Sequence, residues 1–218
     1  EENCLLYFPD ASPKRLLGSG EEAAYLAEYI CRLVEATCGH TLVLFTSYSL
    51  MGAVYNQVKD CLSFPLMEVW RNSQDIIHQF KQASNAVLFA AGPCWEGVDF
   101  PGDMVSSLII TRLPFPVPDP INEAEREQYP SLKDYIKSVV IPEMQIKLRQ
   151  GFGRAVRTET DACAVSILDC RAAPDQRYHQ PVLETLPPVP ITRKIEDVKR
   201  FIRAKKSPDY FLPKERAR

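Results

Sequence analysis

The sequence has little glycine, only three histidines and no excess of positive charge: 9 of its 218 residues are glycine, and 26 Lys and Arg face 28 Asp and Glu. The resulting net charge of -2 excludes a fold that binds nucleic acid by charge alone. Few glycines beside 18 prolines argue against a Gly-rich linker or a collagen-like repeat. Because 45% of the residues are apolar and only 25% are charged, a disordered acidic segment is excluded as well.

Several motifs are missing. The seven cysteines include no C-x-x-C pair, which argues against a zinc ribbon or an iron–sulfur cluster held by this chain. Their odd number and wide spacing favour a reducing, intracellular compartment. The longest uncharged stretch, residues 41–58, contains several polar side chains and is a poor membrane span. No G-x-x-x-x-G-K-[ST] is present, so the phosphate-binding loop of a P-loop enzyme is absent from the sequence.

Short apolar runs alternate with amphipathic stretches along the chain. The runs predict strands at 5–8, 41–45, 64–69, 86–91, 105–111 and 162–168. The other stretches predict helices at 21–38, 49–62, 73–83, within 120–140, and at 141–157, 178–186 and 195–202. This alternation is typical of an α/β fold whose mainly parallel central sheet has helices on both faces. We therefore predict one domain over residues 1–218, with ligands beyond the carboxyl ends of the strands.

The C-terminal end is basic. Residues 193–218 contain ten Lys and Arg against four Asp and Glu. A solvated helix face followed by a frayed terminus explains such a composition. We expect a basic, partly disordered tail at 203–218.

Polar and glycine-rich segments follow two of the predicted strands. Thr46 and Ser47 come after the strand 41–45, where small hydroxyls either donate to phosphate oxygens or cap the next helix. The strand 86–91 is followed by the loop 92–102, which contains three glycines, Trp95, Glu96 and Asp99. Its glycines allow a ligand to approach the backbone closely. The acids could meet a ribose, a water or a metal-bound phosphate, and Trp95, which we expect to be exposed, could stack on a ligand or simply pack.

A pair of arginines lies near the end of the helix predicted at 141–157. Arg154 and Arg157 are three residues apart and share one helical face, with Gln150 one turn earlier. Two guanidinium groups beside an amide suit a triphosphate, and arginine stabilises the charge that builds up during phosphoryl transfer. Surface salt bridges to nearby acids are the alternative.

Taken in order, these segments resemble the second motor domain of superfamily 2 helicases, most closely the DinG/XPD group. Residues 42–48, 95–102 and 150–157 resemble helicase motifs IV, V and VI, and residues 110–115, 118–120 and 167–171 add to a likeness that spans nearly the whole chain. The Q-x-x-G-R-x-x-R pattern alone is weakly specific. Together with W-E-G-V-D-x-P-G at this separation it is strongly specific.

The resemblance implies a RecA-like α/β domain that forms one lobe of an ATP-dependent DNA helicase. In that family two lobes clamp ATP and move along single-stranded DNA, usually 5′ to 3′. The resemblance implies that the first lobe binds most of the ATP and Mg²⁺ and, in many members, a four-cysteine iron–sulfur cluster. The implied partners are single-stranded DNA and that first lobe, with no membrane, in the bacterial cytoplasm at the nucleoid. Since the sequence begins Glu1-Glu2 without Met, we expect a fragment.

The motifs also assign roles to individual residues by resemblance. The catalytic residues are Arg157 as the arginine finger, Arg154 beside it on the γ-phosphate, and Gln150, which couples the nucleotide to closure of the lobes. The residues for ATP binding and coupling are Glu96, Gly97, Asp99 and Gly153. The DNA contacts are Thr46, Ser47, Gly92 and Trp95, and no residue of this chain is assigned to a metal.

Two other functions compete with the motor lobe. A non-catalytic, helicase-like module could bind nucleic acid or protein, although such a module has no need of paired arginines. An unrelated doubly wound enzyme would need a catalytic His or Cys at a strand end. His40, His78 and His179 do not fit that position, and Cys94, the one thiol in a candidate loop, is better explained as buried and inert.

Overall fold

The computed structural model describes residues 3–15, 17–70, 74–95, 100, 102–117, 120–154 and 161–212. Its strands are β1 (Cys4–Tyr7), β2 (Thr41–Phe45), β3 (Leu66–Val69), β4 (Val87–Ala91), β5 (Ser107–Ile110), β6 (Cys163–Ile167) and β7 (Ile191–Thr192). Its α-helices are α1 (Ser19–Thr37), α2 (Tyr48–Val58), α3 (Gln74–Gln82), α4 (Pro120–Arg126), α5 (Leu132–Tyr135), α6 (Ile141–Phe152), α7 (His179–Thr185) and α8 (Ile195–Lys205).

Within the described residues the strands form one sheet in the order β3-β4-β2-β5-β6-β1-β7, and every pairing is parallel. The six strands predicted from apolar runs are confirmed. The seventh, β7, is an edge strand of two residues, too short to produce a recognisable pattern. Parallel strands end at the same edge, so the segments after β2, β4, β5 and β6 come together.

Both faces of the sheet are buried. Successive residues of β2 point to opposite sides: Leu42 and Leu44 lie in one apolar cluster, Val43 and Phe45 in the other. The first cluster is covered by α3, α6 and α7, and the second by α1, α2 and α8. Burial on both sides explains why the strands are continuous apolar runs rather than alternating ones. The predicted α/β fold with helices on both faces is confirmed.

The helix predicted to start at Ile141 has no separate beginning. A π-helical segment, Ile136–Val140, joins α5 directly to α6. Proline has no backbone N–H to donate one turn back. A local change of helical pitch just before Pro142 accommodates that missing bond without breaking the helix.

The first ten residues of the segment expected to be a basic tail, 203–212, are folded. Helix α8 continues to Lys205, and a 3-10 turn follows at Pro208–Phe211. Tyr210 in that turn is only 5% exposed and donates a hydrogen bond from Oη to the Thr37 carbonyl oxygen over 2.9 Å. Residues 203–212 are therefore part of the fold, and 213–218 lie outside the described residues. No helix in the described ranges is both long and apolar enough to cross a bilayer.

Candidate functional site

The segments that follow the strands line the carboxyl edge of the sheet. In sheet order, Trp70 follows β3, Gly92 follows β4, Thr46 follows β2, Thr111 follows β5 and Leu168 follows β6. This edge is where open parallel sheets bind their ligands. It brings together the described parts of the three motif segments.

Ser47 and Thr46 lie side by side but are used differently by the fold. Ser47 is the N-cap of α2, and its Oγ accepts a hydrogen bond from the Leu50 N–H at 3.2 Å. The capping alternative is therefore confirmed for Ser47. Its hydroxyl keeps its own proton, which remains able to donate to an anion. The side chain of Thr46 is exposed one residue before the cap.

Replacing Ser47 with alanine is expected to lower the free energy of unfolding by about 1 kcal/mol, because α2 loses its capping oxygen. Urea unfolding of the chain measures this. Thr46→Ala is the matched control, since it removes an exposed hydroxyl from the neighbouring position. Equal losses in the two variants would contradict a capping role for Ser47.

Gly92 allows the chain to turn sharply at the end of β4. Its φ is +60°, and a Cβ atom there would lie 3.1 Å from the Tyr48 Oη. Both the backbone conformation and the space favour glycine. The turn leaves the Gly92 backbone exposed beside the first residue of α2.

Trp95 does not occupy the exposed position that we expected. The side chain is 1% exposed, and its Nε1–H donates a hydrogen bond of 2.8 Å to the Phe45 carbonyl oxygen. A ring enclosed in this way cannot stack on a base. The exposure expected for Trp95 is therefore wrong, and its packing alternative is confirmed.

The ring of Trp95, in the segment after β4, contacts both the end of β2 and helix α6. A Cβ atom on Gly151 of α6 would lie 2.9 Å from two ring atoms of Trp95 and 3.3 Å from the Leu44 Cδ1. Only glycine lets α6 pack this closely on the ring. The same indole donates a hydrogen bond to the last residue of β2. One buried side chain therefore connects the end of β2, the segment after β4 and helix α6.

Gln150 and Arg154 are close together, but not on the helical face that we predicted. Helix α6 ends at Phe152, with Gly153 as its C-cap, so Arg154 lies in a turn beyond the helix. The Arg154 Nε donates to the Gln150 carbonyl oxygen at 3.3 Å, and its backbone N–H donates to the Gly151 carbonyl oxygen at 3.0 Å. The Gln150 side chain is exposed and that of Arg154 is half-buried.

The remaining predicted residues divide into two groups. Gly153 has an ordinary helical φ of -63°, and a Cβ there would be 3.5 Å from its nearest neighbours, so the fold does not demand glycine. Glu96, Gly97, Asp99 and Arg157 lie outside the described residues, as does the side chain of Cys94.

Two ion pairs between a buried acid and a partly exposed arginine, Asp169 with Arg171 and Glu22 with Arg112, shape this edge and were not predicted. Asp169, after β6, accepts hydrogen bonds from the Leu113 N–H at 2.7 Å and from the Arg171 N–H at 2.9 Å. Arg112, after β5, binds both carboxylate oxygens of Glu22 at the start of α1. The sequence signal was an acid or arginine directly after an apolar strand. The Arg112–Glu22 pair ties the loop after β5 to α1, and Asp169 ties the loop after β6 to the loop after β5.

His40 and Cys170 are both partly enclosed by the fold. His40 lies at the amino end of β2, with its ring nitrogens 3.1 and 3.0 Å from the carbonyl oxygens of Asp103 and Tyr210. Burial lowers the pKa of His40 and raises the pKa of Cys170. Within the described ranges, no three His, Cys, Asp or Glu side chains converge as metal ligands.

Comparison with known families identifies the segments from which this edge is built. Residues 30–189 match the family described as "Helicase C-terminal domain". The ATP-dependent DNA helicase YoaA of Escherichia coli is 35% identical over 184 residues, which are 83% of this chain and 29% of that protein. The ATP-dependent DNA helicase DinG of Photobacterium profundum is 34% identical, over 68% of this chain and 23% of that protein. The chain thus spans less than a third of the length of these relatives.

Solved structures share the fold. A structure described as XPD helicase superposes with a TM-score of 0.67 at 21% identity, over 84% of this chain and 34% of that one. The C-terminal domain of the DEAD-box protein Dbp5 superposes with a TM-score of 0.54 at 13% identity, over 92% of this chain and 96% of that one. At these identities the likeness establishes the RecA-like fold alone.

Proposed function

Because the chain belongs to the helicase C-terminal domain family, with DinG- and YoaA-type helicases among its relatives, we propose that it is the second motor lobe of an ATP-dependent DNA helicase. The longer protein moves 5′ to 3′ along single-stranded DNA in the bacterial cytoplasm, at the nucleoid. Its first lobe binds most of the ATP and Mg²⁺ and any iron–sulfur cluster. This lobe supplies arginines to the nucleotide and contacts to the strand.

The observation that carries the proposal is the packing around Trp95. A motor has to transmit the state of its nucleotide to the groups that hold the strand. The indole contacts Gly151, one residue from Gln150, and its Nε1 bonds the Phe45 carbonyl, one residue before Thr46. The proposed nucleotide side and strand side of the lobe are therefore joined through one rigid, buried contact.

The roles of individual groups follow from their chemistry. Arg157 and Arg154 would neutralise charge on the γ-phosphate as it transfers to water, which guanidinium groups do well because they stay protonated. Gln150 is exposed at the last turn of α6, where it can sense that phosphate. Glu96, Gly97, Asp99 and Gly153 couple the nucleotide to the strand. Thr46, Ser47 and the Gly92 backbone donate hydrogen bonds to the sugar–phosphate chain.

ATP hydrolysis is the direct test. We expect the longer protein with both lobes to hydrolyse ATP and single-stranded DNA to stimulate it, whereas this chain alone releases no phosphate above background. Measuring phosphate release with and without an oligonucleotide, for both proteins, checks this. If the longer protein binds DNA but hydrolyses no ATP, the motor proposal fails and the chain is a non-catalytic binding module.

A further inference from the structure

An exposed tryptophan stands at the carboxyl edge of the sheet, outside the three helicase motifs. Trp70 directly follows the edge strand β3, and 44% of its surface is exposed. The other tryptophan of the chain, Trp95, is 1% exposed. A large apolar ring exposed to this extent is the feature to explain. Single exposed aromatics are common, and the surroundings of this one decide whether it is a site.

The ring of Trp70 is held flat against a neighbour. It stacks on Tyr48 with ring centroids 5.4 Å apart and ring planes 15° from parallel. Gly52, one turn further along α2, leaves room for the edge of the indole: a Cβ there would be 3.8 Å from its Cη2. Tyr48 packs along the indole, and 44% of the surface of Trp70 stays exposed. We name this pair, Tyr48 and Trp70, the aromatic shelf.

The shelf adjoins the residues proposed to bind the strand. Tyr48 follows the cap residue Ser47 in the chain, and its Oη lies against the turn at Gly92. A nucleotide whose phosphate reached Thr46 or Ser47 would bring its base toward this part of the edge. The shelf therefore adjoins the residues proposed to contact the DNA strand, and Tyr48 is positioned by α2, of which it is the first residue.

The overall charge of this chain does not by itself attract a phosphate backbone. The chain carries a net charge of -2, so contacts to phosphates are limited to local donors. Stacking of a base on an aromatic ring needs no charge and tolerates every base, because each base has a π-face. A lobe of this composition therefore gains most from a rigid aromatic surface beside its hydroxyl donors.

We propose that the aromatic shelf binds one base of the single strand by stacking on the exposed part of the Trp70 ring. This inference rests on the proposed function and adds a base-binding position to it. The shelf provides affinity without sequence preference, as a motor that moves along any sequence requires.

Binding of labelled oligonucleotides to the longer protein tests the proposal. Trp70→Ala should weaken binding of oligo-dT about tenfold, and Trp70→Phe should restore most of it, because a smaller ring still stacks. An oligonucleotide of abasic sugars keeps the phosphates but has no bases, so its weaker binding should be the same for wild type and Trp70→Ala. Leu132→Ala, which removes another exposed apolar side chain on α5, should leave both affinities unchanged.

The outcomes separate the two proposals. If the wild-type protein neither binds oligo-dT nor hydrolyses ATP, the proposed function fails and the shelf proposal with it. If wild type does both and Trp70→Ala binds oligo-dT equally well, or loses abasic binding to the same extent, stacking on Trp70 is overturned alone. Photo-crosslinking of 5-iodouracil DNA to the unmutated protein gives a second test. A crosslink on Trp70 supports the shelf, and crosslinks only elsewhere refute it.

Discussion

Arg157→Ala in the longer, two-lobed protein is expected to lower kcat for ATP hydrolysis about 10³-fold, with nucleotide affinity changed much less. The reason is that the arginine acts on charge that develops only during transfer of the γ-phosphate. In the proposed function, the bound nucleotide is held mainly by the first lobe. Steady-state phosphate release gives kcat, and titration with a fluorescent nucleotide gives the affinity.

The arginine variants need a control for loss of positive charge in general. Arg203→Ala serves for this, because Arg203 is exposed on α8, remote in sequence from the three motifs. It should keep wild-type turnover. Arg157→Lys should recover little, since an ammonium does not reproduce the bidentate geometry of guanidinium. Unchanged turnover in Arg157→Ala would remove the arginine finger from the mechanism.

The sheet was predictable because burial on both faces leaves a simple signal. Residues 41–45, 86–91 and 162–168 are nearly uninterrupted apolar runs, and the structure has β2, β4 and β6 there. The alternation of these runs with helices then fixes parallel pairing. The same logic placed Thr46, Ser47 and Gly92 together, because parallel strands end at a common edge.

The surroundings of Trp95 were not predictable from its own segment. Its neighbours in sequence are glycines, an acid and prolines, a composition typical of an exposed loop. The groups that enclose it come from far along the chain: Phe45 from β2 and Gly151 from α6. A glycine inside a helix was the available signal, because a helical glycine costs stability unless something packs against it.

The end of α6 was misplaced for a related reason. The apolar and polar spacing continues through Arg157, so periodicity alone extends the helix to that residue. The structure ends the helix at Phe152, next to Gly153, where low helix propensity outweighs the pattern. Gln150 and Arg154 still meet, through a turn rather than a shared helical face.

Trp95→Ala is expected to lower the free energy of unfolding by about 3–5 kcal/mol, because it leaves a large cavity between the sheet and α6. It also removes the donor to the buried Phe45 carbonyl oxygen. Trp70→Ala is the matched control: the same substitution at the half-exposed tryptophan should cost about 1 kcal/mol or less. Urea unfolding of the chain, followed by circular dichroism, measures both.

A second pair of variants tests whether the contact between Trp95 and α6 is the source of that loss. Gly151→Ala puts a methyl group where two ring atoms lie 2.9 Å away, and should destabilise the chain by about 1–3 kcal/mol despite alanine's higher helix propensity. Gly153→Ala, two residues on, meets nothing closer than 3.5 Å and should be nearly neutral. If both glycine variants are neutral while Trp95→Ala unfolds easily, the indole stabilises the sheet without holding α6, and the link between strand and nucleotide must run through other residues.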